Sequence, residues 1–311
     1  MVIHAGGRKP RTAPADLVTG SPGNSFTQFN SKDVPQFAPN FSVYVLPPDV
    51  VCLYSEDRKF FLHGKLYYAL AHAIGLGKSF RQIARQLTRD FPFDRIQEAL
   101  KRLVDRRYIV SKREFPARVT MAYWASLGLP PGIAEKNLRK CRVRIQSINA
   151  KGAKELAAAL NKLGVRVVTR SADLTVTLVN DYLDRELTKL NRQRLSDRMP
   201  WLLVQAAGVF PQVGPVFNPG KGPCWTCLSE RMKRNREVRA LLDRKQARCV
   251  AVSPLRRDTL GQSGIQLAAI EIAKAIATDF HTPLMDHVIS LDLLGATIVK
   301  HYLPARPQCP S

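Results

Sequence analysis

Two cysteines three positions apart, Cys224 and Cys227, close the run Gly214-Pro215-Val216-Phe217-Asn218-Pro219-Gly220-Lys221-Gly222-Pro223-Cys224-Trp225-Thr226-Cys227-Leu228. Thiolates at that spacing can face one tetrahedral ion, because the intervening pair folds into a tight knuckle. A loop punctuated by Pro219, Gly220, Gly222 and Pro223 is a poor place to bury cysteines as core residues. Metal ligation, with Zn2+ in a structural role, is the chemistry these residues suggest. The end of the chain, Arg306-Pro307-Gln308-Cys309-Pro310-Ser311, starts a second knuckle. Cys309 is the natural third ligand. The fourth stays open among Cys249, His281, His287 and His301, or a cysteine directly after Ser311 that would complete a second CxxC. Cys52 and Cys141 fall on expected strands and are read as core.

No catalytic constellation accompanies the thiols. The six histidines are scattered, no motif places a carboxylate pair, and no serine sits in a nucleophile elbow. A phosphate cradle needs a glycine-rich turn after the first strand of an α/β unit, so that backbone N–H groups can approach the anion. Here that turn is Ile148-Asn149-Ala150-Lys151-Gly152-Ala153-Lys154, with Gly152 alone, and Arg170 follows the second strand where an acidic residue is needed. ATP is therefore not expected to bind this chain. Gly77-Lys78-Ser79 imitates the end of a P-loop, but His72 replaces the earlier glycine and Ser79 reads as a helix N-cap.

The 311 residues suffice for two domains, and 45% apolar content is ordinary for a globular protein. No apolar run approaches the ~20 residues of a membrane span, and Met1–Lys32 lacks an apolar signal core. Six irregularly spaced cysteines point to a reducing cytoplasm rather than a disulfide framework. A net charge of +23 attracts either nucleic acid or an acidic peptide and does not choose between them.

Four regions are expected: a disordered basic arm over 1–38, a compact domain over 39–114, a connector over 115–140 and an α/β domain over 141–311. The second has strands at 41–46, 50–54 and 58–62 and a turn at Ser55-Glu56-Asp57. Three helices follow, the first through Leu66, Ala69, Leu70, Ala73 and Ile74, the second capped by Ser79 and the third by Asp94. Tyr108-Ile109-Val110 then reads as a wing strand, which makes a winged helix-turn-helix. A helical piece around 121–127 is expected to break at Pro130-Pro131. Strands at 143–147, 165–169, 173–179 and 201–206 alternate with helices at 152–163 and 183–194, the rhythm of an open α/β sheet. An extended segment at 209–217, a basic helix at 228–248, a helix at 262–278 and a strand pair at 288–301 complete the chain.

Three stretches resemble the leader-peptide-binding partner of YcaO cyclodehydratases, the family that makes azolines in thiazole/oxazole-modified microcins. Leu53-Tyr54-Ser55-Glu56-Asp57-Arg58 within the strand–helix unit is similar to a RiPP recognition element. Gly214-Pro215 through Cys224, Cys227 and Leu228, with Arg231 and Asn235, is similar to the zinc knuckle of a ThiF-like, ubiquitin-activating-type domain. Arg306-Pro307-Gln308-Cys309-Pro310 resembles the opening of the last knuckle in fused members. The resemblance implies a degenerate ThiF-like Rossmann-type domain, often a homodimer, with ATP used by a YcaO protein in trans or fused after residue 311. The missing fourth cysteine favours a fragment of a fused protein.

On this resemblance the chain is non-catalytic and binds the leader of a ribosomal precursor peptide. The leader would add a strand to the edge formed by Arg58, Lys59, Phe60, Phe61 and Leu62 and lie against Arg95, Gln97, Lys101 and Arg102. Two other functions stay open. One is a winged-helix nucleic-acid binder using Arg81, Arg85, Arg95 and Arg102; the other is an adenylating enzyme.

Overall fold

The computed structural model describes residues 30–114, 119–248, 250, 251, 253 and 262–309. The chain divides into two compact units after Ala125, within the expected connector.

In the first unit Pro35–Phe37 (β1) precedes an antiparallel sheet of Ser42–Leu46 (β2), Val50–Tyr54 (β3) and Lys59–His63 (β4), in the order β2-β3-β4. Lys65–Gly75 (α1), Phe80–Leu87 (α2) and Phe93–Asp105 (α3) follow, then Ile109–Ser111 (β5), which pairs with β1. Ile96, Ala99, Leu100 and Leu103 recur at helical spacing on α3 and bury one stripe against Leu70, Ile74, Ile83 and Leu53. Ser79 caps α2 through a reciprocal bond with Gln82, as the sequence suggests. The third helix starts earlier than expected. Pro92 is its N-cap and Asp94 lies in its first turn, where a carboxylate favours the helix dipole.

The expected arm is shorter than 1–38. Phe37 pairs with Ile109, and Ala38 N–H donates to Tyr108 O at 2.9 Å. The carbonyls of Ser31 and Asp33 accept from Arg81 and Phe80, whose N–H groups lie in the first turn of α2 where no intrahelical acceptor exists. Apolar Phe37 and Ala38 thus have a partner strand that local composition could not reveal. Residues 1–29 lie outside the described residues.

Val119–Ser126 (α4) crosses the boundary and leads to Pro131–Lys140 (α5). Pro130-Pro131, expected to stop a helix, starts one. Proline at the first helical position loses no hydrogen bond and arrives with helical φ.

The second unit continues with Arg142–Ile148 (β6), Ala153–Lys162 (α6), Arg166–Val167 (β7), Leu174–Val179 (β8), Glu186–Asp197 (α7), Trp201–Gln205 (β9) and Gln212–Phe217 (β10). Trp225–Arg234 (α8), Glu237–Arg244 (α9), Gln262–Ala277 (α10), His287–Asp292 (β11) and Thr297–Tyr302 (β12) complete it. The seven-stranded sheet has the order β12-β11-β10-β9-β8-β6-β7, parallel from β7 to β9 and antiparallel from β10 to β12. Every residue of central β8 is buried, as a strand covered on both faces requires. On one side α5, α6 and α10 pack together, with Asn137 Nδ2 donating to Ala277 O at 3.0 Å. On the other, α7 and α8 share a core with Val179, Trp201, Leu203 and Phe217. Gly264 lets α10 come close to the chain after β9: a Cβ there would lie 2.5 Å from Ala206 O.

The single basic helix expected at 228–248 is two helices. It starts at Trp225 and breaks near Asn235, where Arg236 leaves the helix to pair with Asp181 at 2.8 Å. Among the described residues no helix is long and apolar enough to cross a membrane.

Candidate functional site: a buried cysteine cluster and an open strand edge

The thiols come together through three local devices. After β10, Lys221 N–H turns back onto Asn218 O at 3.0 Å. Cys224 then takes an extended backbone as the N-cap of α8, which puts Cys227 in the first helical turn with its N–H on Cys224 O at 3.0 Å. The segment after β12 is held by buried Leu303, whose N–H donates to Asp286 O at 2.7 Å. Beyond it Arg306 N–H donates to Cys227 Sγ at 3.4 Å, and Cys309 Sγ lies 3.4 Å from Cys224 Sγ.

The three sulfurs lie within 4.8 Å of one another. Tetrahedral zinc with Zn–S bonds of about 2.3 Å needs sulfurs about 3.8 Å apart. The cluster therefore fits a metal ion and is compatible with zinc. Burial pushes the Cys227 thiol up to about 11, against the bond from Arg306. Protonated thiols in apolar surroundings are inert, and a metal would displace the protons.

Of the residues left open for a fourth ligand, none described joins the cluster. His281 Nδ1 lies 2.9 Å from Thr278 O, His287 Nδ1 2.6 Å from Asp286 Oδ1, and His301 Nε2 2.8 Å from Ser290 Oγ. Cys249 lies outside the described residues. Cys141 caps the end of α5 rather than sitting on a strand, and burial pushes its thiol up to about 11.

The turn after β6 is occupied by protein. Asn149 takes a left-handed backbone (φ 54°), its Nδ2 donates to Asp184 Oδ2 at 3.2 Å, and Asn180 Nδ2 donates to its carbonyl. A Cβ on Gly152 (φ 104°) would lie 3.0 Å from Ile265 Cδ1 of α10. The space over the lone glycine is filled by an apolar side chain.

The first unit offers a different surface. β4 is an edge strand of its sheet. Ser55 N–H bonds Arg58 O and Gly64 N–H bonds Asp49 O, both at 2.8 Å, which sets the phase of the β3–β4 ladder. By alternation Phe60 and Leu62 bond β3, while the N–H and C=O of Lys59, Phe61 and His63 point out of the open edge. The side chains divide likewise. Phe60 packs on Phe41 and Tyr108, with its ring centroid 4.9 Å from that of Tyr108, whereas Phe61 is 51% exposed on the opposite face.

Beside this edge a small recess is lined by Leu62, Tyr67, Arg102, Leu103, Arg106 and Tyr108. Two of the sequence-predicted residues, Leu62 and Arg102, meet there. Arg58 is tied to Asp57 at 2.9 Å in the hairpin turn, and Arg95, Gln97 and Lys101 are exposed on α3. Sequence reasoning missed Tyr67, Arg106 and Tyr108. Arg106 was legible in principle, one helical turn after Arg102 on the same face. Tyr67 and Tyr108 arrive from two other elements. The Tyr67 hydroxyl, and then Glu98, hold the Arg102 guanidinium above its usual range.

The seven-stranded α/β sheet of the second unit is similar to the ThiF-like fold found in heterocyclase-related proteins. Among solved structures, that of the heterocyclase TruD is 31% identical, with a TM-score of 0.77 over 89% of this chain and 42% of that one. A heterocyclase in complex with substrate and cofactor is 32% identical, with a TM-score of 0.73 over 89% of this chain and 39% of that one. The chain thus spans about two fifths of the length of these heterocyclases. Escherichia coli MccB with ATP shares the fold at 11% identity, with a TM-score of 0.61 over 89% of this chain and 98% of that one. No family model and no curated protein matches the chain.

Proposed function

We propose that this chain is the non-catalytic recognition part of an azoline-forming cyclodehydratase. The first unit acts as a winged-helix RiPP recognition element: it binds the leader of a ribosomal precursor peptide and presents the Cys, Ser or Thr residues behind it to a YcaO-type ATP-dependent enzyme. The observation that carries this reading is the open edge of β4 next to the recess under Arg102 and Arg106. Similarity to the heterocyclase TruD over 89% of the chain supports this reading.

The mechanism is strand addition. An extended leader bonds the outward groups of Lys59, Phe61 and His63, and an apolar leader side chain enters the recess against Leu62, Leu103 and Tyr108. Arg102 and Arg106 at the rim attract the acidic residues of the segment and raise its association rate.

In the second unit Cys224, Cys227 and Cys309, with a fourth donor, hold Zn2+ as a structural clamp on the segment after β12. Bound zinc supplies folding free energy there. ATP belongs to the YcaO partner, in keeping with the Ile265 side chain over Gly152. The protein works as a cytoplasmic homodimer.

Fluorescence polarisation of a labelled acidic leader peptide against the full chain tests this reading, with salt titration and a DNA duplex as the competing arm. Peptide binding lost on Arg102→Glu is expected. Binding of the duplex alone, steeply weakened by salt, would instead favour the nucleic-acid function. Pyrophosphate exchange by the isolated chain would restore the adenylating one.

A further inference from the structure

Four buried side-chain polar atoms among the described residues have no hydrogen-bond partner, and three of them belong to one cluster. They are Arg144 Nε on β6, Thr175 Oγ1 on β8 and Arg194 Nε on α7. Strand register sets Arg144 beside Thr175, and Thr175 beside Trp201, so these side chains share one face of the sheet. One turn along, Gln146 and Thr177 occupy the same face and satisfy each other at 2.9 Å. Helix α7 covers this face, with Leu187 and Leu190 in the core that contains Trp201. Arg194 continues that buried stripe with 5% of its surface exposed, and Thr175 has 1%.

The cluster is one-sided in chemistry. Both guanidinium Nε–H groups can only donate, and the threonine hydroxyl is free to rotate and donate too. The carboxylates nearby do not balance the two charges. Asp197 stands 3.9 Å from Arg194 Nη1, beyond hydrogen-bond reach, and is itself largely exposed. Asp173 at the same end of the strands is engaged by Arg142 through bonds of 2.8 and 3.0 Å. Burial, and then the neighbouring Arg144 charge, push the Arg194 guanidinium below its usual range. Water could accept the unused donors but would leave the buried Arg194 charge, beside that of half-buried Arg144, without a close counter-charge among the described residues, which is expensive.

We propose that Arg144, Arg194 and Thr175 form a binding site for a small tetrahedral oxyanion of the phosphate or sulfate type, beneath the C-terminal half of α7. Such an ion offers several acceptor lone pairs to converging donors and neutralises both guanidinium groups. Arg144 is only half-buried and forms the way in. The site is at the start of the parallel strands, at the opposite end from the turn after β6. Its occupant therefore stabilises the packing of α7 on the sheet independently of any nucleotide or leader.

Thermal unfolding of the full chain in sodium phosphate, sodium sulfate and sodium chloride at matched ionic strength tests the site. Phosphate at ten times its dissociation constant should raise the Tm by about 3–6 °C over chloride. Phosphate and sulfate also stabilise proteins generally, by exclusion from their surface. Arg144→Gln and Thr175→Val separate the two effects, and both keep the buried Arg194 in place. Both variants should lose most of the phosphate-specific rise. A rise of equal size in wild type and Arg144→Gln would overturn the proposal, as would phosphate and chloride giving the same Tm.

Discussion

The cysteine cluster and the β4 edge contrast in what they leave unsatisfied. Around Cys224, Cys227 and Cys309 two of the three thiols are buried, Arg306 N–H donates to the sulfur of Cys227, and the three sulfurs lie within 4.8 Å of one another. At β4 alternate side chains are exposed, and among the described residues the outward main-chain donors and acceptors of the edge have no partner strand, beside a recess rimmed by two arginines. A buried group of sulfurs suits a permanent structural ion. An open edge suits a ligand that comes and goes. The difference teaches that exposed backbone and buried reactive atoms suit different tasks, exchange of a ligand on one side and a lasting hold on the other.

The largest expected effect tests the closed side. Chelating zinc, or Cys227→Ser, should lower the Tm by about 8–16 °C, the consequence of removing an ion held at free concentrations a thousandfold above its dissociation constant. Calorimetry with and without chelator checks this, and an unchanged Tm would reduce the cluster to buried thiols. Leader binding should survive the loss of zinc at temperatures where the first unit stays folded, because that unit has its own core.

Next come the variants of the open side. Leu62→Asp and Arg102→Glu should each weaken leader binding by about 10–100-fold. Phe61→Pro is sharper, since Phe61 N–H points away from β3 and proline is tolerated on an edge strand in that position. It should weaken binding by about 3–10-fold through one lost main-chain bond while the unfolding free energy changes little. Unimpaired binding in Phe61→Pro would rule out strand addition at this edge.

A smaller effect comes from a thiol outside the cluster. Cys141 is held up to about 11 by burial and then by Asp173 and Asp279. In the unfolded chain it loses its proton near 8.5, so between about pH 8.5 and 11 the folded state binds more protons and stability falls as pH rises. The full shift would amount to about 3 kcal/mol, reduced by solvent screening of the partly exposed thiol to the order of 1 kcal/mol, and Cys141→Ala should flatten the profile in urea unfolding of the zinc-loaded protein. Smallest is the exposed Arg142–Asp173 pair. Arg142 holds the Asp173 carboxyl below its usual range, so the contribution is present above the unfolded value and lost as pH falls through the folded one. Asp173→Asn should cost less than about 1 kcal/mol.

Local patterns were legible wherever one element carried its own signal. Ser79 with Gln82 announced a cap, and the α3 stripe of Ile96, Leu100 and Leu103 announced a buried face. The misses needed a partner from elsewhere. Pro35–Phe37 reads as arm until Ile109–Ser111 is set beside it, and Pro130-Pro131 reads as a break until Pro131 is seen to open α5. The helix after Cys227 reads as continuous until Asp181 draws Arg236 aside.

What the sequence by itself determined was which atoms could do chemistry: two cysteines in knuckle spacing with a third far along the chain, a turn after the first α/β strand with a single glycine, and a strongly basic composition. Ligand type and loop composition are local properties, and they survive translation into a string of letters. What only the tertiary structure decided was convergence. It brought Cys309 within 3.4 Å of Cys224 across 85 positions, closed the recess with Tyr67 and Tyr108, and set the Nε groups of Arg144 and Arg194 without a partner among the described residues. Those meetings depend on sheet order and register, which arise from the packing of the whole core and which no single stretch of the chain encodes.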